Sequence, residues 1–184
     1  MQAAAFIQKW SKAQLSEQAA SHEHFLDLCR LLGVKTPAEL DPIGDTFTFE
    51  KGAKVAGPAS AGSKGDRGRA DVWYKGRFAW EYKRKDKHKT LEAAYQQLQQ
   101  YREDLENPPL LIVCDITRTE IHTNFTGYKP EIHTILLADL AEPGNLQWHW
   151  SRYQQLRETT MKHFCSLYGY RTVLASILVV PSVQ

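Results

Sequence analysis

The sequence predicts an α/β fold, with a mixed central β-sheet flanked by helices and the core order αβββαβ. Three observations predict it. Residues 3–32 have helical periodicity, the turn Lys75-Gly76-Arg77 joins two alternating segments, and a continuous apolar run follows a second amphipathic helix. A strand, a helix and a buried strand in succession form a right-handed crossover unit, so we expect one parallel strand pair within the sheet.

Helices and a first strand are predicted in the N-terminal third. Four apolar residues follow the spacing of one buried helical face: Phe25, Leu28, Cys29 and Leu32. Gly33 is where such a helix commonly ends, and residues 36–39 form a capping box with proline at the first helical position. Residues 46–50 alternate as a strand does, and the glycine-rich residues 52–68 lack periodicity, which predicts a surface loop.

The hairpin, the second helix and the buried strand follow in order. Residues 70–74 and 78–83 alternate as the two strands of the hairpin. Thr90 is the predicted N-cap of a helix that extends to Glu106, where an Asn-Pro-Pro sequence stops it. Residues 110–116 form an apolar run typical of a strand that is buried on both faces and parallel to its neighbour.

The C-terminal part is less regular. Residues 120–125 alternate and predict a further strand, helical signals then continue to about Leu167, and a Tyr-, Val- and Leu-rich end without capping residues follows. A length of 184 residues suits one domain. We therefore expect that domain over residues 1–150 and an atypical, partly helical tail over residues 151–184.

Composition excludes several protein classes. Hydrophobic residues are 42% and charged residues 24% of the chain, the usual balance of a globular protein, which excludes a disordered or fibrous one. The 3 cysteines are far apart, which excludes a disulfide framework and a cysteine-rich zinc site. No segment reaches the ~18 apolar residues of a membrane span, and the N-terminus lacks a secretory pattern. We therefore expect a soluble intracellular protein with no membrane partner.

Charge is unevenly distributed along the chain. Residues 51–89 contain 12 Lys/Arg and 4 Asp/Glu, a net charge of +8, whereas the remainder carries −6. This segregation is typical of a surface that faces a polyanion. A solvated basic loop would give the same counts, and composition alone does not separate the two interpretations.

A glutamate and a lysine share one face of the second hairpin strand. Glu81 and Lys83 are two residues apart and project to the same side, while Phe78, Trp80 and Tyr82 project to the other side, which must be buried. The alternative is an ordinary ion pair on a solvated sheet, because a Glu-x-Lys triplet is common by chance.

The preceding strand adds a second carboxylate. If the hairpin turns about Gly76, Asp71 lies directly opposite Glu81, with Cβ atoms about 5 Å apart. Like charges at that distance repel unless a cation lies between them, and an oxygen-rich site of this kind suits Mg²⁺. A two-residue turn would instead place Trp80 opposite Asp71.

An aspartate, nine residues, then Glu-x-Lys on a hairpin, followed by a helix and a buried strand, resembles the PD-(D/E)XK nucleases. The resemblance implies a restriction-endonuclease-like fold in which Asp71, Glu81 and the Tyr82 carbonyl bind Mg²⁺, with Mn²⁺ as a substitute. It also implies that Lys83 orients or activates the attacking water. The chain departs from the pattern at Ala70, where the family name has proline.

The second helix carries a QxxxY pattern similar to that of the RecB-like nucleases. Gln97 and Tyr101 are one turn apart and share a face that could meet the substrate or the metal site, which adds them to the candidate catalytic residues. Core packing beside Leu98 is the alternative for Tyr101. Glu23, on the N-terminal helix, is a further carboxylate that could approach the site.

Six segments agree in order with one branch of the superfamily: 24–33, 49–52, 70–73, 78–83, 107–110 and 120–126. They resemble the N-terminal nuclease region of the MmeI-like (type IIL) restriction–modification enzymes. Those enzymes join a nuclease, an adenine methyltransferase and a target-recognition domain in one chain. The resemblance implies Mg²⁺-dependent DNA cleavage in phage defence, in the cytoplasm of a bacterium or archaeon. It also implies methyltransferase and recognition domains or subunits as partners, and we expect homodimers to form.

The basic segment supplies the expected DNA contacts: Lys51, Lys54, Lys64, Arg67, Arg69, Arg84, Lys85 and Lys87. The rival interpretation is a non-catalytic DNA-binding or interaction module, a fragment of a larger methyltransferase–nuclease. The intact set of Asp71, Glu81 and Lys83 favours the enzyme.

Overall fold

A computed structural model of the chain describes residues 1–13, 16–54, 67–83, 89–125 and 129–141. The predicted tail lies outside these described residues. The described ranges contain four helices: α1 (Ala3–Lys12), α2 (Glu17–Leu32), α3 (Pro37–Leu40) and α4 (Lys89–Tyr101). The same described residues contain six strands: β1 (Phe47–Lys54), β2 (Arg67–Tyr74), β3 (Phe78–Tyr82), β4 (Leu110–Cys114), β5 (Arg118–Thr123) and β6 (Ile132–Leu136). A 3-10 turn over Leu137–Ala141 follows β6.

The strands form one six-stranded sheet whose spatial order is the order along the chain, β1-β2-β3-β4-β5-β6. Strands β3 and β4 pair in parallel, with helix α4 as their crossover, and every other pair is antiparallel. This mixed sheet flanked by helices confirms the predicted fold class and is consistent with a restriction-endonuclease-like fold. The parallel pair is the one predicted from the apolar run in β4.

The β2–β3 hairpin has the predicted register. Val72 faces Trp80 and Tyr74 faces Phe78, so the strands turn about Gly76, which adopts a positive φ of 67°. Glycine adopts this conformation without the steric cost that a Cβ imposes. The alternative two-residue turn is therefore wrong, and the hairpin pairs extend from Tyr74 with Phe78 back to Val72 with Trp80.

Several element boundaries differ from the predicted ones. The single helix predicted over residues 3–32 is two helices, because Ala13 is extended and Ser16 begins α2 as its N-cap, accepting a hydrogen bond from the backbone N–H of Ala19. Helix α4 ends at Tyr101 and is followed by turns. Strand β6 was not predicted, because its short edge sequence alternates for only five residues.

Two apolar clusters sandwich the sheet. The cluster on the side of α1 and α2, here the α2-side cluster, includes Phe6, Trp10, Phe25, Trp80, Tyr82 and Ile112. The cluster under α4, here the α4-side cluster, includes Trp73, Ala79, Ala94, Leu98, Leu111 and Val113. Each large apolar side chain contributes about 1.5–3 kcal/mol when it is fully buried. Among the described residues no helix is long and apolar enough to cross a membrane.

Candidate active site

The site is built at the end of β3, whose five residues are all buried. Trp80 and Tyr82 project into the α2-side cluster, so strand alternation turns Glu81 and Lys83 towards α4. The Lys83 Nζ lies 2.8 Å from Glu81 Oε1, and the two side chains are 18% and 6% exposed. The backbone N–H of Lys83 donates to the Cys114 carbonyl at 2.8 Å, which extends the ladder past Tyr82 and holds the lysine beside β4.

A break in the alternation of β2 positions Asp71. The pairing of β1 with β2 skips Glu50 and Asp71, and Glu50 adopts a positive φ of 55°. Val72 and Ala70 would share a face in a regular strand, yet Val72 packs in the α2-side cluster and Ala70 in the α4-side cluster. Asp71 lies where the strand changes face, so its side chain leaves the regular alternation.

The Asp71 carboxylate reaches the backbone of β3. The N–H of Tyr82 donates to Asp71 Oδ2 at 2.6 Å. In an extended strand the N–H and the C=O of one residue point to the same edge, because opposite residues of a hydrogen-bonded pair exchange both bonds. The Tyr82 carbonyl therefore projects towards the side on which the Asp71 carboxylate lies, and Glu81 precedes it directly on β3.

The oxygen atoms of Asp71, Glu81 and the Tyr82 carbonyl match the ligand preferences of a small hard cation. Two carboxylates and one backbone carbonyl are oxygen ligands, and Mg²⁺ is usually held by one or two carboxylates together with water and substrate oxygens. Within the described ranges no group of three or more His, Cys, Asp and Glu side chains could hold a metal ion. Asp71, Glu81 and the Tyr82 carbonyl would therefore leave the other positions of a bound Mg²⁺ to water and substrate oxygens.

Helix α4 crosses over the sheet and brings Gln97 to the site. Its Tyr95 ring stacks on His122 of β5, with the ring centroids 3.8 Å apart, while its C-terminal Tyr101 lies over Gly68 of β2. Between them, Gln97 Oε1 accepts a hydrogen bond from Lys83 Nζ at 3.4 Å. Tyr101 is buried in the α4-side cluster, which matches the core-packing alternative.

A buried hydrogen bond supports the site from the opposite face. The Tyr82 hydroxyl lies 2.8 Å from His24 Nδ1, between helix α2 and strand β3. Burial lowers the pKa of His24 to about 3 and raises the pKa of Tyr82 well above its usual value. Both side chains are therefore neutral near pH 7, and the pair ties α2 to the strand that carries Glu81.

Only some of the residues predicted to contact DNA lie within the described part of the chain. Lys51 lies 4.1 Å above the Trp73 ring, and Arg69 pairs with Glu50 at 2.9 Å. The backbones of Lys54 and Arg67 face each other across β1 and β2. Four predicted contacts lie outside the described residues: Lys64, Arg84, Lys85 and Lys87.

Glu23 and the two histidines next to it, His22 and His24, make contacts that lie away from the candidate metal site. Lys9 of α1 pairs with Glu23 at 2.5 Å and with the buried Asp27 at 2.7 Å, so Glu23 is engaged at the α1–α2 contact. His22 packs on the ring of Phe49. The His24–Tyr82 bond joins residues 58 positions apart, and no local pattern in the sequence could have predicted it.

The sequence-predicted residues thus divide into two groups. The structure brings together Asp71, Glu81, Lys83, Gln97 and the Tyr82 backbone, whereas Tyr101 packs on Gly68.

The chain matches the family model described as MmeI, N-terminal domain, over residues 1–162. Comparisons with curated proteins and with solved structures find no match. The chain therefore belongs to the MmeI N-terminal domain family, which places it in the context of restriction–modification enzymes.

Proposed function

We propose that this domain is a Mg²⁺-dependent endonuclease that hydrolyses phosphodiester bonds in DNA, in restriction of foreign DNA. One observation carries the proposal: Asp71, Glu81, Lys83 and the Tyr82 backbone meet at the end of one buried strand, in contacts of 2.6 and 2.8 Å. Two carboxylates and an ammonium group on a buried, apolar support are costly to assemble for stability alone.

The oxygen atoms would hold the metal. Asp71, Glu81 and the Tyr82 carbonyl would be its ligands, and Mn²⁺ would substitute for Mg²⁺. A bound divalent ion supplies a Lewis acid for the phosphoryl oxygens and lowers the pKa of a bound water. The hydrogen bond from the Tyr82 N–H keeps the Asp71 carboxylate beside that carbonyl.

Lys83 supplies a positively charged side chain at the site, in addition to the charge of the metal ion. Its ammonium group lies 2.8 Å from Glu81 and 3.4 Å from Gln97, and these two contacts limit its position. From there it orients the attacking water and stabilises the negative charge that develops on the phosphoryl oxygens. Gln97 acts through Lys83, so it is a positioning residue, and Tyr101 holds the helix that carries Gln97.

The DNA would lie along the basic segment that flanks the site. The residues proposed to contact phosphates are Lys51, Lys54, Lys64, Arg67, Arg69, Arg84, Lys85 and Lys87. Sequence recognition would come from methyltransferase and target-recognition domains or subunits, with a homodimer as the arrangement that cuts both strands.

The proposal is tested by nicking of supercoiled plasmid in Mg²⁺ by the wild type and Lys83→Ala. We expect the variant to be at least about 10²-fold slower, because a charge-stabilising donor is lost from the site. DNA affinity should stay within about twofold, because Lys83 acts on charge that develops only as the phosphodiester bond is cleaved. Lys75→Ala is the matched control, because Lys75 pairs with Glu106 on the surface, and it should cleave like the wild type.

Equal cleavage by Lys83→Ala and the wild type, or cleavage in excess EDTA, would contradict the mechanism. DNA binding without any Mg²⁺-dependent cleavage would instead support the rival, a non-catalytic DNA-binding module.

A further inference from the structure

Strand β5 carries a second acidic–basic pair in register with the pair on β3. Glu81 pairs with Val113 of β4, and Val113 pairs in turn with Glu120 of β5. Arg118 Nη2 lies 2.5 Å from Glu120 Oε1, much as Lys83 lies beside Glu81. The two pairs are two inter-strand spacings apart, about 10 Å. Both cations are displaced from their carboxylates towards the same edge of the sheet.

A tight turn between β4 and β5 sets the direction of Arg118. The Asp115 N–H donates to the Arg118 carbonyl at 3.0 Å, and the Arg118 N–H donates back to Asp115 Oδ1 at 2.8 Å. Ile116 in this turn has a positive φ of 75°, which is rare for a β-branched residue, and its side chain is buried in the α2-side cluster. The turn thus directs Ile116 to one face of the sheet and starts β5 with Arg118 on the other.

The Glu120 carboxylate has a second neighbour on its other oxygen. His122 Nε2 lies 3.5 Å from Glu120 Oε2, and the His122 ring stacks on Tyr95 of α4. Burial lowers the pKa of His122, so the ring is neutral near pH 7 and the only full positive charge beside Glu120 in the described part of the chain is Arg118. The side chains of Glu120 and His122 are 13% and 2% exposed, whereas Arg118 is 36% exposed. The guanidinium therefore lies at the rim of the face that holds the candidate active site.

We infer that Arg118 binds a backbone phosphate of the DNA strand beside the phosphate that is cleaved, an inference that rests on the proposed function. A guanidinium has five donors in a rigid fork that matches a phosphate, more than one carboxylate can use. A strand that runs along this edge of the sheet, past Lys83, meets Arg118 about 10 Å further on. Glu120 holds the guanidinium in place when no DNA is bound and competes with the phosphate for it.

The competition gives two substitutions opposite effects. Arg118→Gln removes the contact, so its Kd for a duplex oligonucleotide, measured by fluorescence anisotropy in EDTA, should rise about tenfold. The log–log slope of affinity against salt should become shallower by about 0.9, the value for one phosphate contact. Glu120→Gln keeps the guanidinium and removes its competitor, so DNA should bind more tightly than to the wild type.

Two further variants separate a contact from a structural role. Arg30→Gln is the matched control, because Arg30 also pairs with a carboxylate, Asp27, at 2.8 Å, but lies on α2. It should bind DNA like the wild type. Arg118→Lys keeps the charge and loses the fork, so the salt slope should persist while affinity falls. If Arg118→Gln fails to fold, Glu120→Gln and Arg118→Lys still decide the question.

Failure of this inference differs from failure of the proposed function. Wild-type affinity and slope in Arg118→Gln, or weaker binding by Glu120→Gln, overturns the phosphate contact even if Mg²⁺-dependent cleavage is found. A wild-type chain that binds no DNA overturns it as well. The expected affinity changes without any cleavage support the contact and reject the nuclease.

Discussion

Asp41 shows how a single carboxylate organises the entry into the sheet. Its oxygens accept hydrogen bonds from the backbone N–H groups of Gly44, Thr46 and Phe47, at 3.0, 2.6 and 3.0 Å, and from the Thr46 hydroxyl at 2.8 Å. These bonds, led by that from the Thr46 backbone, lower the pKa of Asp41 well below its usual value. The charged form thus links the end of α3 to the start of β1.

We expect Asp41→Ala to lower the Tm at pH 7, because the backbone donors of the turn lose their acceptor. The folded-state pKa lies below the unfolded-state value, so the stabilisation is complete above about pH 3.9 and is lost as the pH falls through the folded-state pKa. The difference in Tm between wild type and variant should therefore persist at pH 5 and shrink below pH 3.9. The neighbouring exposed Asp45→Ala is the control. A difference that grows on acidification would contradict this.

Helix α4 depends on one glycine for its position on the sheet. A Cβ on Gly68 of β2 would overlap the Tyr101 ring, whereas a Cβ on Gly52 of the paired strand β1 would meet nothing within 4 Å. Tyr101 is near the end of the helix that carries Gln97 to Lys83. The absence of a side chain at residue 68 therefore allows α4 to lie close to the site.

Gly68→Ala should destabilise the fold by about 1–3 kcal/mol, the usual cost of overpacking a close contact. At this size the Tm falls about 2–4 °C for each kcal/mol, which thermal melting resolves. Gly52→Ala, the matched control in the same strand pair, should leave the Tm unchanged or raise it slightly. Equal Tm values for the two variants would show that Tyr101 moves aside without cost. Slower cleavage by Gly68→Ala would further link α4 to Lys83.

At the scale of the whole molecule, two acidic–basic pairs lie on the same face of the sheet. The α2-side cluster and the α4-side cluster bury both faces, yet Glu81 and Lys83 lie on the α4 face, with Glu120 and Arg118 two strands away. A ligand that binds the folded state and not the unfolded chain stabilises the fold. A metal ion that binds Asp71 and Glu81 should therefore stabilise the whole fold.

We expect Mg²⁺ or Mn²⁺ to raise the Tm of the wild type and not that of Asp71→Asn. With ion at tenfold excess over the Kd, the gain is RT ln 11, about 1.4 kcal/mol, or roughly 3–6 °C in Tm. In EDTA the variant should be at least as stable as the wild type, because an asparagine oxygen still accepts the Tyr82 N–H and the repulsion with Glu81 is removed. Asp41→Asn is the control and should keep the response to the ion. Identical responses in wild type and Asp71→Asn would mean that the carboxylates form no metal site.

Much of the fold and the strand alignment of the candidate site could be predicted from local sequence. The register of the β2–β3 hairpin, the parallel β3–β4 pair and the capping box of α3 agree with the structure. The alignment of Glu81 with Lys83 follows from the two-residue period of a strand. These features depend on turns, caps and alternation, which are properties of a few consecutive residues.

Other features exist only in the tertiary structure. The face change at Asp71 arises because β1 skips a pair at Glu50, and the hydrogen bond of His24 to Tyr82 depends on how α2 packs on the sheet. The second acidic–basic pair, Glu120 with Arg118, aligns with the pair on β3 only because β4 lies between the two strands. The sequence by itself determined which residues of β3 belong to the candidate site, because their spacing along one strand sets their common face. The tertiary structure decided their neighbours, because contacts between distant segments depend on packing that no local period encodes.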